Sequence, residues 1–533
     1  MMPRTYNFAK IIDDALAKRF RAMSASVLYS IKLTGEHRKT NAFAAEYHQL
    51  WFAFHQSSPG FRFRWENLEP FHFVVAFGYF DFIFVLVVVP HHKFVSFRKI
   101  MKYFFVCLLI ITCRVVTSAQ VSIALQKRIA TQAAAMEKEI ILWRRHIHEH
   151  PELSNREIQT AAYVAAHLKK LNIDVQTGVA HTGVVGLLRT GKPGPVIAIR
   201  ADMDALPVTE KDNLAFASKV KTKVNGVETG VMHACGHDAH TAILMGVAEI
   251  LSNNRKDLKG TIKFIFQPSE EGAPAGEEGG APLMIKEGVL ENPKVDVIFG
   301  LHVQSMRKLG QIGYRPAGLM AASDWFTIKV IGKQAHGAAP WKSVDPIVVS
   351  AQIVLGLQTI ISRQTDITKD PAVVSIGRIN AGIRENIIPE TAEMSGTIRT
   401  FDNAMRTDIH ERIISTATHI AESAGAKAEV SFDPKTPVTY NDPALTEQLA
   451  VALLRAAGEG NVARIPADTG GEDFAYYLQH VPGFYFFVGV SPPGSDISKA
   501  SHHTPEFMMD ERGMLTGLKA MLNVTLDYMF MPH

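Results

Sequence analysis

Cysteine is scarce in this chain: three residues in 533, at positions 107, 113 and 235. No two of them form a CxxC pair. That excludes a disulfide scaffold and a structural zinc site built on paired short spacings. There is no Lys/Arg block, and the formal net charge is only +4, so nothing in the sequence suggests a nucleic-acid partner. Internal repeats and low-complexity tracts are also missing, which excludes solenoids and compositionally disordered chains. Long apolar runs are rare. The main one, "FHFVVAFGYFDFIFVLVVVP" at 71–90, could span a membrane by length, but Asp81 sits inside it at a cost in lipid. What remains is ordinary globular composition, 47% hydrophobic and 20% charged, with a length that favours roughly two to four domains.

Residues 1–100 differ from the rest in being crowded with Phe and His. They are followed by "MKYFFVCLLIITCRVVTSAQ" (101–120), which has the anatomy of a secretory signal peptide. Lys102 gives a short basic region, 103–112 an apolar region, and "TSA" before Gln120 a small-residue cleavage site. A signal peptide works only at an N-terminus, so Met101 is read as the biological start and 1–100 as an over-translated extension. The expected product is exported, periplasmic or secreted, in preference to one anchored through 71–90. Removal of 101–119 leaves Cys235 as the sole thiol.

From about 120 onward strands and helices alternate. "PVIAIRADMDALPV", "GTIKFIFQPSEEG" and "VDVIFGLHV" are apolar strands that run into polar residues, and "TAILMGVAEILSNN" is a helix apolar nearly all round. This pattern predicts an α/β fold: a mixed, mostly parallel sheet with helices on both faces. Helical periodicity runs through 124–154 and ends at Pro151. Between 317 and 434 the order becomes strand, helix, strand, strand, helix, strand, a compact α+β insert. The catalytic domain is therefore read in two parts, 120–316 and 435–533, interrupted by the insert.

Chemistry-bearing residues gather where strands end. Asp202 and Asp204 follow one strand, Glu270 and Glu271 another, and His302 closes a third. The C-terminal edge of such a sheet is where ligands bind, so residues far apart in sequence can converge there. "GVMHACGHDAHTA" (230–242) adds Cys235 and His237 just before a helix, and "SHHTPEF" adds His503. Taken singly, each has a plainer reading: a surface histidine, a solvated Glu-Glu pair, an inert core thiol. Taken together, thiolate, imidazole and carboxylate suit zinc or manganese better than magnesium or calcium. Cys235, His237, Glu271, His302 and His503 exceed what a closed tetrahedral site needs, and fit a pair of ions about 3.5–4 Å apart. Glu270 is then a spare carboxylate, placed to take a proton from water and pass it to a leaving nitrogen. Asp204 would orient a ligand histidine and fix its tautomer.

The segments "RADMDALPVTE", "MHACGHDAHTA", "QPSEEG", "GLHV", "GKQAHGAAPWKSVDP", "ENIIPE", "GGEDF" and "HHTPEF" occur here in one order. In this the chain resembles the hippurate hydrolase and auxin-conjugate amidohydrolase family, the cysteine-containing branch of the aminoacylase and carboxypeptidase-type metallohydrolases. The resemblance covers about 125–530. It implies that Cys235, His237, Glu271, His302 and His503 bind two divalent ions, manganese or zinc, with cobalt or nickel also compatible, and that Glu270 is the base. The histidine before Thr-Pro matches the family ligand, hence His503 rather than His502. The insert is implied to be a lid that pairs two subunits, His336 reaching the partner's site to stabilise an oxyanion. Asn386 and Arg399, with Gly471 of "GGEDF", match substrate-binding positions, and an arginine fork suits a carboxylate. No metal or base position departs from the family pattern; residues 1–100 do. The implied activity is hydrolysis of N-acyl amino acids. The alternatives are a dipeptidase or carboxypeptidase on the same scaffold, or a binding protein that kept the fold, which would have no need of Glu270.

Overall fold

A computed structural model describes residues 121–494 and 501–532, together with the backbone of three strands ahead of them, 29–32, 73–79 and 82–88. The chain divides into two units, Met1–Ser118 and Ala119–His533. In the first, Tyr29–Lys32, Phe73–Tyr79 and Phe82–Val88 form an antiparallel sheet in that order. The apolar run 71–90 is thus two paired strands, with Phe73 opposite Val88. Its β-branched and aromatic residues favour the strand, and Asp81 falls between the two. The signal-like segment 101–119 lies outside the described residues.

In the second unit eight strands form the central sheet. Their spatial order is Val462–Arg464, Ile312–Tyr314, Gly483–Ser491, Val297–Lys308, Val196–Asp202, Thr261–Gln267, Gly183–Arg189, Asp174–Val179. The middle four run parallel, and antiparallel pairs flank them. Both faces are covered, because successive residues of the middle strands enter different apolar clusters. Ile197, Ile199, Phe264 and Phe299 pack under the helices His237–Asn253 and Gly513–Phe530. Ala198, Ile265 and Ile298 pack with Met284, Phe474 and Tyr477 on the other side. Burial on both faces explains why these strands are nearly continuous apolar runs instead of alternating ones. The α/β class expected from the sequence is the class observed.

The helical stretch expected over 124–154 is two helices, Ile123–Ala135 and Glu137–Glu149, parted at Met136. Both halves contact His237–Asn253, so the apolar periodicity runs through the break.

Residues 322–436 build a four-stranded antiparallel sheet, ordered Ala372–Ala381, Thr391–Thr400, Ala322–Ile331, Lys427–Thr436. Here burial alternates: Phe326, Ile328 and Val330 face the helices Pro346–Thr359 and Asn403–Ser423, and Trp325 and Lys329 face away. Asp345 caps the first of these helices by accepting from Ile347 N–H at 2.9 Å, with Pro346 in its first turn. Among the described residues, Pro346–Gln364 is the one helical segment long and apolar enough to cross a membrane. It instead buries Val349, Ile353 and Leu357 against the sheet.

Candidate active site

Parallel pairing sends the ends of Val196–Asp202 and Thr261–Gln267 and the middle of Val297–Lys308 to the same edge of the sheet. The chain leaving the first strand carries Asp204, the chain leaving the second carries Glu270 and Glu271, and His302 lies on the third. Helix His237–Asn253 starts beside them. Its N-cap, Gly236, has φ +96°, a left-handed conformation that folds Cys235 and His237 towards one point. A Cβ on Gly236 would lie 2.4 Å from Val303 Cγ2, so the position also requires glycine for space. The last contributor, His503, has φ +63° and is tied by its N–H to Ala234 C=O at 2.9 Å.

The Cys235 sulfur is central. It lies 3.4 Å from His302 Nε2 and 3.2 Å from His503 Nε2. His503 Nε2 is 3.2 Å from Glu271 Oε1, and His237 Nε2 is 3.9 Å from the same oxygen. Beside a group of His237, Glu270 and Glu271, two donor triads meet at the sulfur, Cys235/His237/His302 and Cys235/Glu271/His503, each with its donor atoms within 4.8 Å of one another. Cys235 belongs to both. His502, by contrast, accepts Ser305 N–H at Nε2 (3.2 Å), and its Nδ1 is 3.1 Å from Cys235 C=O, so it is committed to the backbone.

Asp204 holds the group together. Its carboxylate accepts the N–H of both Glu270 and Glu271 at 3.0 Å and the Ser154 hydroxyl at 2.7 Å. His237 Nδ1 sits 2.9 Å from the Asp204 carbonyl and 3.3 Å from its carboxylate, which makes Nδ1 the donor and frees Nε2. His237 Nε2 is fully buried and makes no hydrogen bond. A buried nitrogen lone pair without a partner, beside a thiol and carboxylates, fits a metal ligand.

The electrostatics point the same way. Burial raises the Cys235 thiol well above its usual range, and neighbouring Glu271 adds to it. Glu270 is raised well above the carboxylate range by burial and then by Glu472, Glu271 and Asp473. Burial works against the imidazolium of His237, yet Asp202 and Cys235 outweigh it and raise its pKa. Such crowding of acids around nitrogen and sulfur lone pairs is relieved by cations.

Several participants were not singled out from the sequence. His240, the third histidine of the 230–242 stretch, has its Nδ1 2.6 Å from Asp202 and accepts Val303 N–H at Nε2, 2.9 Å away. Val303 C=O in turn lies 2.5 Å from His302 Nδ1, so Asp202 and His240 steady the strand that carries His302. Arg200 is fully buried and holds Asp202 at 2.6 Å, Asp473 at 2.7 Å and Glu472 at 3.1 Å. Asp473 N–H reaches Glu270 Oε1 at 3.3 Å. The signal for these was present, since "GGEDF" and "RADMD" stand out, but only the pairing of distant strands gives the charges a common centre.

The residues expected on the substrate side form two further groups. His336 and Asn386 adjoin each other through Gly337 N–H to Asn386 C=O, 2.8 Å, on the exposed part of the insert. His336 Nδ1 accepts Ala338 N–H at 3.0 Å. Arg399 pairs in register with Ser323, and a Cβ on Gly471 would lie 3.7 Å from the Ser323 Cβ, so Arg399 and Gly471 share the seam between insert and catalytic sheet. Among the described residues neither His336 nor Asn386 contacts the metal-type cluster.

Residues 198–527 match the model of peptidase family M20/M25/M40. The chain belongs to this family. It is a hydrolase of amide bonds. Similarity to individual relatives is extensive. The chain is 39% identical over 385 residues to N-acetyl-L-cysteine deacetylase of Bacillus subtilis, covering 72% of this chain and 86% of that protein. It is 40% identical over 398 residues to thermostable carboxypeptidase 2 of Saccharolobus solfataricus, covering 74% and 97%. Among solved structures, the Bacillus subtilis YXEP protein, described as a dinuclear metal-binding peptidase of the M20 family, superposes with a TM-score of 0.62. It is 36% identical, over 74% of this chain and 99% of that one.

Proposed function

We propose that this M20 hydrolase cleaves the amide of N-acyl amino acids, releasing a carboxylic acid and an amino acid, in the manner of the hippurate and auxin-conjugate amidohydrolases. The observation that carries the reading is the pair of donor triads sharing the Cys235 sulfur, with Glu270 close by but outside both. Cys235, His237, Glu271, His302 and His503 would hold two divalent ions; the donors suit manganese or zinc, with cobalt or nickel also compatible. When bound, such ions acidify a water and polarise the scissile carbonyl.

The remaining chemistry falls to side chains. Glu270 takes the proton as the water oxygen adds to the carbonyl carbon, and delivers it to nitrogen as the C–N bond breaks. Burial, with Glu472, Glu271 and Asp473, raises its pKa, which favours the protonated carboxyl that must return a proton to nitrogen. Asp204 fixes the Glu270–Glu271 backbone and the His237 tautomer. His336, its Nδ1 occupied by Ala338 N–H, carries its ring proton on Nε2 and can donate it to an oxyanion. Because His336 makes no contact with its own cluster, it is assigned to a partner subunit's site in a homodimer paired through the lid. Exposed Ile347, Val348 and Leu355 on the outer face of Pro346–Thr359 support a covered surface there.

Arg399 supplies recognition of a free α-carboxylate. It has no carboxylate ion-pair partner among the described residues and donates only to Thr397 and Ile398. A carboxypeptidase also retains a free carboxylate on the leaving residue, so this group serves either substrate. The two are separated by assay of the metal-loaded protein on N-acetyl amino acids, hippurate and dipeptides with free amino termini. Faster turnover of the acylated substrates, abolished by chelator and restored by metal, is the expected result. Preference for free dipeptides would make it a peptidase.

A further inference from the structure

The helices of the lid cover one face of its sheet, and the opposite face carries a cavity of about 520 Å³. Trp325, Thr327, Ser375, Thr397, Ser431 and Asp433 line it. These side chains share a face because strand residues alternate: Phe326, Ile328 and Ile398 point to the helices, and their neighbours point into the cavity. Trp325 dominates it. Its indole is 55% exposed, unusual for so large an apolar group, and Lys435 Nζ lies 4.5 Å from the ring centroid.

The cavity opens beside the seam already described. Ser323 pairs with Arg399, and two residues further along the same strands Trp325 pairs with Thr397, about 7 Å on at strand spacing. The Arg399 guanidinium leans towards that pair, donating to the Thr397 hydroxyl. On the catalytic side, Gly471 faces Thr436 and Ser323, Tyr476 O–H donates to Lys435 C=O at 2.7 Å, and Asp473 N–H meets Glu270. A continuous path of contacts therefore runs from Glu270 through the 471–476 segment to the strand carrying Lys435, which pairs with the strand carrying Trp325.

We infer that this cavity is the subsite for the amino-acid side chain of the substrate, and that Trp325 selects planar aromatic side chains. The inference rests on the reading of Arg399 as the carboxylate-binding group. With the α-carboxylate on Arg399, the side chain of that residue is the part of the substrate nearest Trp325. An indole exposed on a rigid strand offers a stacking surface at small conformational cost. The hydroxyls of Ser375 and Ser431 leave polar partners for a phenol or indole edge. A small side chain such as that of alanine would leave the cavity open to water and gain nothing from the indole.

The test uses the full chain loaded with zinc or manganese. Activity is measured on N-acetyl-L-phenylalanine and N-acetyl-L-alanine for the wild type, Trp325→Ala and Trp325→Phe. In Trp325→Ala the ratio of kcat/KM between the two substrates should fall roughly tenfold or more, through KM, the scale on which an apolar pocket discriminates. Trp325→Phe should keep most of the ratio. An unchanged ratio in Trp325→Ala overturns the assignment. Calorimetric titration of both compounds into the Glu270→Gln protein, with and without Trp325→Ala, needs no turnover. A binding preference for the phenylalanine derivative that disappears with Trp325 supports the subsite even if the wild type hydrolyses neither compound, which would refute the function instead. Equal binding of the two compounds with Trp325 present refutes the subsite.

Discussion

At the scale of single residues, the site turns on two adjacent glutamates with different surroundings. Both approach His237 Nε2, at 3.8 Å for Glu270 and 3.9 Å for Glu271, but Glu271 alone also reaches His503, whereas Glu270 turns to Glu472 and Asp473. Glu270→Gln should therefore retain bound metal and lose about two to four orders of magnitude in kcat, the range of general acid–base catalysis. Metal content measured by plasma emission beside kcat checks this; a parallel fall in both would make Glu270 a ligand. Cys235 gives a second expectation. Its thiol is held protonated by burial and by Glu271, so ligation must release a proton, visible as a buffer-dependent heat on metal titration. Alkylation of Cys235 by iodoacetamide in the metal-free protein should therefore be slow and quicken as pH rises, and the loaded protein should resist it throughout. Cys235→Ala with two metals bound at unchanged affinity would mark the thiol as an inert core group.

At the scale of elements, the decisive piece is the turn between Cys235 and His237. Gly236 combines a left-handed φ of +96° with a neighbour 2.4 Å from where a Cβ would stand. Gly236→Ala should cost more than the roughly 1 kcal/mol of an unstrained helix-cap change, because Val303 must move and His302 is the preceding residue. Thermal melts of the metal-free protein should show lowered stability, and metal titration should show weaker binding. Unchanged metal affinity in a destabilised protein would show that the turn matters only for folding. Elements also explain what the sequence concealed. His240 stands three residues from His237 in one stretch, yet it is satisfied by Asp202 and by Val303 N–H from a strand some sixty residues on. No local pattern distinguishes a histidine that binds metal from one that braces the ligand beside it.

At the scale of the whole molecule, two proposals can be separated by simple measurements. If 101–119 is a cleaved signal, the mature protein should begin near Gln120, just after the start of the unit Ala119–His533, without cutting any of its helices or strands. N-terminal sequencing of native protein decides it, and an intact start at Met1 would refute it. If the lid pairs two subunits, sedimentation should give a dimer. His336→Ala mixed with Glu270→Gln should then regain activity, since one hybrid site has both groups intact; no regain from a proven mixed dimer would refute the role in trans.

The sequence by itself determined the fold class, the edge of the sheet that carries the chemistry, and the identity of the clustered donors. Those features follow from local periodicity, from where apolar strands run into acids, and from residue types whose lone pairs suit a soft cation. The tertiary structure decided the rest. It alone shows that Cys235 belongs to two triads, that Asp204 grips both glutamates through their backbone, and that Arg200 gathers Asp202, Glu472 and Asp473 across some 270 residues of chain. It alone puts Trp325 two strand positions from the Ser323–Arg399 pair. The physical reason is the same in each case. Coordination, tautomer choice and pocket shape depend on distances of a few ångströms between residues that only strand pairing brings together, and no spacing along the chain encodes that pairing.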